Sequence, residues 1–127
     1  MCGIVGIYNH NKAVEMMALA LFAEQHRGQE SCGMAVTDGQ TFRLRKKMGL
    51  VKDVFKPEKI AKLPGKIAIG HVRYPTRGTS TEYNSQPHVV ETLAGPCYAL
   101  ASNGDLINYD AIKKMLQNKG VFFNSYN

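Results

Sequence analysis

The apolar run Gly3-Ile4-Val5-Gly6-Ile7-Tyr8 starts almost at the beginning of the chain. A run this short, with two glycines, reads as a buried strand. Glycine inside a strand often marks the close approach of another backbone or of a ligand. After the polar break Asn9-His10-Asn11, which offers a helix cap, Ala13 to Gln25 is rich in Ala, Leu and Met and predicts a helix. That helix is apolar nearly all round and should be sandwiched between layers.

Strands and turns follow. Gly33 to Thr37 and Thr41 to Leu44 flank Asp38-Gly39-Gln40, a hairpin signal. Pro57 to Leu63 predicts a short basic helix, and Lys66 to Tyr74 another strand. The stretch from Pro75 to Pro87 is a long polar loop of the kind that carries function. His88 to Leu93 and Cys97 to Ala101 read as strands about a Gly95-Pro96 turn, with a tight turn at Asn103-Gly104-Asp105. Asn108 can cap a helix from Tyr109 to Asn118 that Gly120 ends, and Phe122 and Phe123 open a last strand. This order, with hairpin connections, predicts an α+β fold of antiparallel sheets covered by helices.

Composition narrows the function classes. The 127 residues, 44% hydrophobic and 20% charged, suit one globular domain. No apolar run approaches the roughly 20 residues a membrane span needs. The start of the chain has no basic n-region of a secretory signal, so reduced thiols in a cytoplasm are expected. The net charge of +6 invites a nucleic-acid reading, but it is concentrated. Residues 43–66 hold nine basic residues against Asp53 and Glu58, while the remainder has seven basic and eight acidic. That segment has one aromatic, Phe55, and no reading motif, so a solvated or domain-facing surface is expected, without nucleic acid. His10, His26, His71 and His88 show no metal-ligand spacing with one another or with Cys2, Cys32 and Cys97, and no metal is expected. Cys32 and Cys97 lie in apolar contexts and read as packed thiols.

Three places can carry chemistry. Cys2 becomes the terminal residue when Met1 is removed, and then bears a thiol and a free α-amine together. A free α-amine has a pKa of about 7.7–8.0, so nucleophile and base are tethered on one residue. Arg73, before Pro75-Thr76-Arg77-Gly78, can hold a carboxylate by a bidentate fork. Asn103-Gly104 can aim a side-chain amide and a backbone N–H at a developing oxyanion. Each has a plainer reading: a small residue at a strand start, a surface ion pair, a turn. Together they supply nucleophile, base, carboxylate clamp and oxyanion donors, the set needed for acyl transfer from an amino-acid amide.

At these residues the chain resembles a family. Met1-Cys2-Gly3-Ile4-Val5-Gly6-Ile7, His26-Arg27-Gly28-Gln29-Glu30-Ser31, Gly70-His71-Val72-Arg73-Tyr74 and Ser102-Asn103-Gly104-Asp105-Leu106 are similar to the class II glutamine amidotransferases. Met48-Gly49-Leu50-Val51-Lys52-Asp53-Val54-Phe55 resembles the phosphoribosylpyrophosphate branch in particular. The resemblance implies an N-terminal-nucleophile αββα sandwich, incomplete in this chain. It makes Cys2 the nucleophile and its α-amine the base, with Asn103 and Gly104 as the oxyanion hole. Arg73 would bind the glutamine α-carboxylate, Tyr74 and Thr76 would line the site, and Arg27 and Gly28 would support it. Pro75, Ser102 and Asp105 depart from the common pattern at positions that are neither nucleophile nor clamp.

The same resemblance implies that residues 1–127 are the first part of a glutaminase domain. The aspartate that anchors the substrate α-amine would follow Asn127, and a phosphoribosyltransferase domain would lie further on. No cofactor is expected in this segment, and magnesium only in that transferase domain; the full enzyme would be a homo-oligomer. The 127 residues alone are expected to have little glutaminase activity, as is any form that keeps Met1. The alternatives are an amidotransferase with another acceptor, of the glucosamine-6-phosphate synthase or glutamate synthase type, a relic without catalysis, or a basic binding module. Gln29-Glu30 and His71-Val72-Arg73-Tyr74 argue against the sugar enzyme.

Overall fold

The computed structural model describes residues 1–75 and 79–123. Among the described residues, six strands form two antiparallel sheets: β1 (Gly3–Ile7), β2 (Ser31–Thr37), β3 (Phe42–Met48) and β4 (Ile67–Arg73) in one, β5 (His88–Thr92) and β6 (Gly95–Leu100) in the other. The four-stranded sheet runs β1-β4-β2-β3. Four α-helices accompany them among the described residues: α1 (Ala13–Ala23), α2 (Val51–Val54), α3 (Pro57–Ile60) and α4 (Tyr109–Asn118). The α+β class expected from the hairpin connections is the one observed.

Strand alternation divides the large sheet into two chemically different faces. On one, Cys32, Met34 and Val36 of β2 lie opposite Val72, Gly70 and Ala68 of β4. They pack with Ala13, Val14, Met17 and Leu21 of α1, and Val51, Val54, Phe55 and Leu63 complete the core. A Cβ on Gly70 would press on the side-chain ends of Met17 and Leu21, so its absence lets α1 lie close to β4. The other face carries Ser31, Gly33 and Ala35 opposite Arg73, His71 and Ile69. It is polar, and Ser31, His71 and Arg73 are nonetheless buried.

Several expectations change. The first strand lies at a sheet edge, so it alternates: Ile4 is exposed while Val5 and Ile7 pack on the core. Helix α1 covers the sheet with one face only, and Leu19 and Phe22 are exposed among the described residues. Its N-cap is Lys12, with no side-chain cap; the His10 carbonyl accepts the Ala13 N–H at 3.1 Å. Gln25–Arg27 form a separate 3-10 turn. Gly95 and Pro96 belong to β6, with the turn at Leu93-Ala94. Asn103-Gly104-Asp105 is an irregular bend and not a tight turn, and Asn108 precedes α4 without a side-chain cap bond. Val121 to Phe123 are not a strand. The short helix α2 was not expected.

The basic segment is an edge strand and two small helices. Positive charge along an edge strand discourages edge-to-edge pairing, and β3 presents Arg43, Arg45, Lys46 and Lys47. Three of these also tie neighbours down. Arg45 Nε donates to the Val54 carbonyl at 2.8 Å, Lys46 Nζ to the Ser85 carbonyl at 2.7 Å, and Lys47 pairs with Glu82 at 3.0 Å. Burial lowers the Lys46 pKa, with Glu82 opposing the shift.

Candidate active site

Cys2 sits one residue before β1, beside the end of β4. The pairing of Gly3 with Val72 brings the start of the chain against the Arg73-Tyr74 step. The Tyr74 N–H donates to Cys2 Sγ at 3.4 Å, and the thiol lies 3.6 Å from the Tyr74 carbonyl. The side chain is buried. From the other side, Arg27 Nε donates to the Cys2 carbonyl at 3.0 Å and lies 3.2 Å from the Glu24 carboxylate.

The loop that delivers Arg27 is held by its neighbours. Gln25 Nε2 donates to the Gly28 carbonyl at 2.6 Å, while its Oε1 accepts the Val51 N–H at 2.7 Å. Gly28 is buried directly against the Val72 and Arg73 backbone, where a Cβ has no room. The fit explains a glycine between Arg27 and Gln29: the loop must touch the β4 backbone to bring Arg27 to Cys2.

Arg73 ends β4 on the polar face and forms an ion pair with Glu30. Sequence reasoning offered a surface ion pair as the plain alternative; this pair is interior, with Arg73 itself 2% exposed. Glu30 Oε1 and Ser31 Oγ have no hydrogen-bond partner among the described residues. Tyr74 contributes its backbone to the cluster, and its side chain is exposed.

Asn103 and Gly104 stand in an exposed loop after β6. No hydrogen bond joins them to Cys2 among the described residues. The loop is nevertheless fastened to the polar face. Ser102 donates its N–H to Gln86 Oε1 at 2.7 Å, and its carbonyl lies 3.1 Å from His71 Nε2. His71 pairs with Ile4 across the β1–β4 ladder, and Ile4 shares the side of β1 toward which Cys2 leads. Beside the loop, Ser102, Gly104, Asp105 and Leu106 join Tyr109 and Ile112 of α4 in lining a cavity of about 290 Å³.

The structure thus gathers Cys2, Arg27, Gly28, Arg73 and Tyr74, while Asn103 and Gly104 follow Ser102, which is bonded to Gln86 and His71. Thr76 lies outside the described residues. Sequence reasoning passed over Glu30, His71, Gln86 and Gln25. Glu30 and His71 stood inside stretches already singled out; nothing marked Gln86 or Gln25. Cys32 is fully buried with its thiol 3.6 Å from the Gly49 carbonyl, and burial pushes its pKa up to about 12. The Cys97 side chain lies outside the described part. Among the described residues no group of three or more His, Cys, Asp and Glu could hold a metal ion, and no helix is long and apolar enough to cross a membrane.

Comparison with known proteins agrees on one family. The chain is 46% identical over 127 residues to the amidophosphoribosyltransferase of Methanocaldococcus jannaschii, covering 98% of this chain and 27% of that protein. It is 40% identical over 122 residues to the Bacillus subtilis enzyme, covering 96% and 26%. The solved B. subtilis glutamine phosphoribosylpyrophosphate amidotransferase, complexed with ADP and GMP, superposes with a TM-score of 0.86 at 36% identity, over 97% of this chain and 26% of that one. A structure described as the allosteric regulatory enzyme of purine biosynthesis gives 0.89 at 38% identity, with the same coverage. No family model matches. The chain spans about a quarter of the length of the curated relatives it matches. Over nearly its whole length, this chain is similar to one part of the amidophosphoribosyltransferases.

Proposed function

We propose that this chain is the first part of a glutaminase domain that releases ammonia from the glutamine side-chain amide. In the complete protein the ammonia serves phosphoribosylamine formation in purine synthesis. The observation that carries the proposal is the seating of Cys2 at the start of the chain. Its thiol lies against the Tyr74 backbone and its carbonyl is gripped by Arg27. A cysteine fixed in this way, with Met1 removed, presents thiol and α-amine to one substrate.

The reaction then follows from the groups at hand. The α-amine takes the thiol proton, and Cys2 Sγ attacks the amide carbon of glutamine. The negative charge moves to the amide oxygen, where Asn103 and Gly104 donate. The tetrahedral species collapses, the C–N bond breaks, and the α-amine returns the proton to the departing nitrogen. A γ-glutamyl thioester remains, and water hydrolyses it to glutamate.

Arg73 grips the substrate α-carboxylate. A guanidinium carries five N–H donors, so pairing with Glu30 and holding a second carboxylate are compatible. Thr76 and the Tyr74 backbone line the site, and Arg27 and Gly28 support the loop beside the nucleophile. The phosphoribosyltransferase part, and with it any magnesium, belongs to the rest of the longer protein.

The test is Cys2→Ala in the full-length protein. Glutamate release from glutamine should fall below detection, while phosphoribosylamine formation from added ammonia persists. Glutamine hydrolysis by the variant overturns the proposal.

A further inference from the structure

The Asn103-Gly104 loop has no ladder of its own, because β6 ends at Leu100 and regular structure resumes only at Tyr109. Yet the residue that introduces it is held at both of its backbone polar groups, and by side chains from two different parts of the fold. Gln86 Oε1 accepts the Ser102 N–H at 2.7 Å, and His71 Nε2 lies 3.1 Å from the Ser102 carbonyl. We infer that His71 and Gln86 are positioning residues that set the orientation of the oxyanion-binding loop. The inference rests on the glutaminase reading above.

The geometry gives the clamp its direction. A carbonyl only accepts, so His71 Nε2 must carry the proton, which leaves the lone pair on Nδ1. The Ser102-Asn103 peptide is planar and trans. Its carbonyl and the Asn103 N–H therefore point to opposite sides, and a donor fixed on that carbonyl fixes the rotation of the whole plane. The Asn103 N–H turns away from His71, and the Asn103 Cα lies in the same plane. Gln86 fixes the preceding peptide plane in turn.

Both clamping residues are themselves anchored. His71 is fully buried in β4. Gln86 is seated on β2 because Gly33 has no side chain; a Cβ there would collide with the Gln86 carbonyl. Burial also lowers the His71 pKa to about 4, so the ring is neutral and keeps this tautomer at ordinary pH.

The test compares His71→Leu and Gln86→Leu with the conservative His71→Gln and Gln86→Glu, which keep a donor and an acceptor respectively, in the full-length protein. Three readouts are needed: kcat and KM for glutamine hydrolysis, inhibition by the γ-aldehyde analogue of glutamine, and the rate of Cys2 alkylation by iodoacetamide. The aldehyde reports on the oxyanion: Cys2 Sγ adds to its carbon, the carbonyl electron pair moves to oxygen, and the thiol proton passes to the α-amine. Alkylation builds no oxyanion.

Misplacing oxyanion donors costs up to about 100–1,000-fold, and a partial misplacement about 10–100-fold. The two Leu variants should lower kcat by about 10–100-fold and weaken the aldehyde by a similar factor, with KM and alkylation little changed. The Gln and Glu variants should recover most of the loss. Unchanged kcat in both Leu variants overturns the inference, as does a fall in alkylation rate with aldehyde affinity intact. If His71→Leu does not fold, Gln86→Leu with its Glu counterpart decides the question alone. Cys2→Ala separates the two levels: glutamine hydrolysis without Cys2 defeats the glutaminase reading. Loss of hydrolysis in Cys2→Ala with unchanged Leu variants defeats only the clamp.

Discussion

The Arg73 guanidinium pairs with the Glu30 carboxylate inside the protein, where the two side chains are 3% and 10% exposed. The Arg73 carbonyl also accepts the Glu30 N–H at 3.2 Å, so main chain and side chain join the same two residues. A buried charge stripped of its partner is costly, about 3–5 kcal/mol. Glu30→Gln keeps the shape and removes the charge. It should lower the unfolding free energy by about that amount, measured by urea denaturation. The double replacement Arg73→Met with Glu30→Leu should cost less stability than Glu30→Gln alone, because neither buried charge remains.

Much of the fold could be read in the order of residues, because the strands here have strong local signatures. The Asp38-Gly39-Gln40 turn joins β2 to β3, and the run expected from Lys66 to Tyr74 is β4, although β3 continues past the expected Leu44 to Met48. Helix α1 was readable in its extent but not in its environment. Its apolar outer residues, Leu19 and Phe22, remain exposed, and a pattern hydrophobic on all sides does not tell which side the sheet takes. Of the site, Cys2, Arg73 and Asn103-Gly104 were visible as chemically able residues. Glu30, His71 and Gln86 were not assigned roles, since their partners are distant in sequence: His71 meets Ser102, and Gln86, just before β5, meets Ser102, just after β6. Only the register of the sheets creates these encounters.

Gly28 shows how tightly the loop beside Cys2 is fitted. Its missing side chain faces the Val72 and Arg73 backbone, which cannot yield as a flexible side chain would. Overpacking of this kind costs about 1–3 kcal/mol. Gly28→Ala should destabilise the protein by that order and displace Arg27 from the Cys2 carbonyl. In the full-length protein the expected result is a lower urea midpoint together with a fall in glutaminase kcat.

Two described thiols should behave differently toward an alkylating reagent. Cys32 is fully buried and its pKa is raised from 9.0 to about 12, chiefly by burial, with Arg45 opposing the shift. At pH 8 its thiolate, the reactive form, is scarce. Iodoacetamide should therefore leave Cys32 unmodified in the native protein and modify it in urea, as peptide mass spectrometry can show, while Cys2 reacts in the native state. The raised pKa also has a stability consequence. Above about pH 9 the unfolded chain gives up a proton that the folded one keeps, so the Cys32 contribution is lost progressively between about pH 9 and 12.

His71 has the opposite dependence. Its pKa is lowered from 6.5 to about 4, first by burial and to a lesser extent by Arg73 and His88, with the Ser102 carbonyl opposing. Between those values the unfolded chain binds a proton that the folded one refuses. Stability is therefore full above about pH 6.5 and declines as pH falls toward 4, by at most about 1.4 kcal/mol per pH unit from this one group. Carboxylates titrate in the lower part of the same range, so the informative quantity is a difference. Urea midpoints of the native protein and of His71→Gln, taken at pH 7, 6 and 5, should diverge: the native protein loses stability on acidification faster than the variant, which has no group to protonate there. Parallel curves would mean that the ring accepts its proton inside the fold as easily as outside, and the neutral tautomer that holds the Ser102 carbonyl would then not be confined to that form by burial.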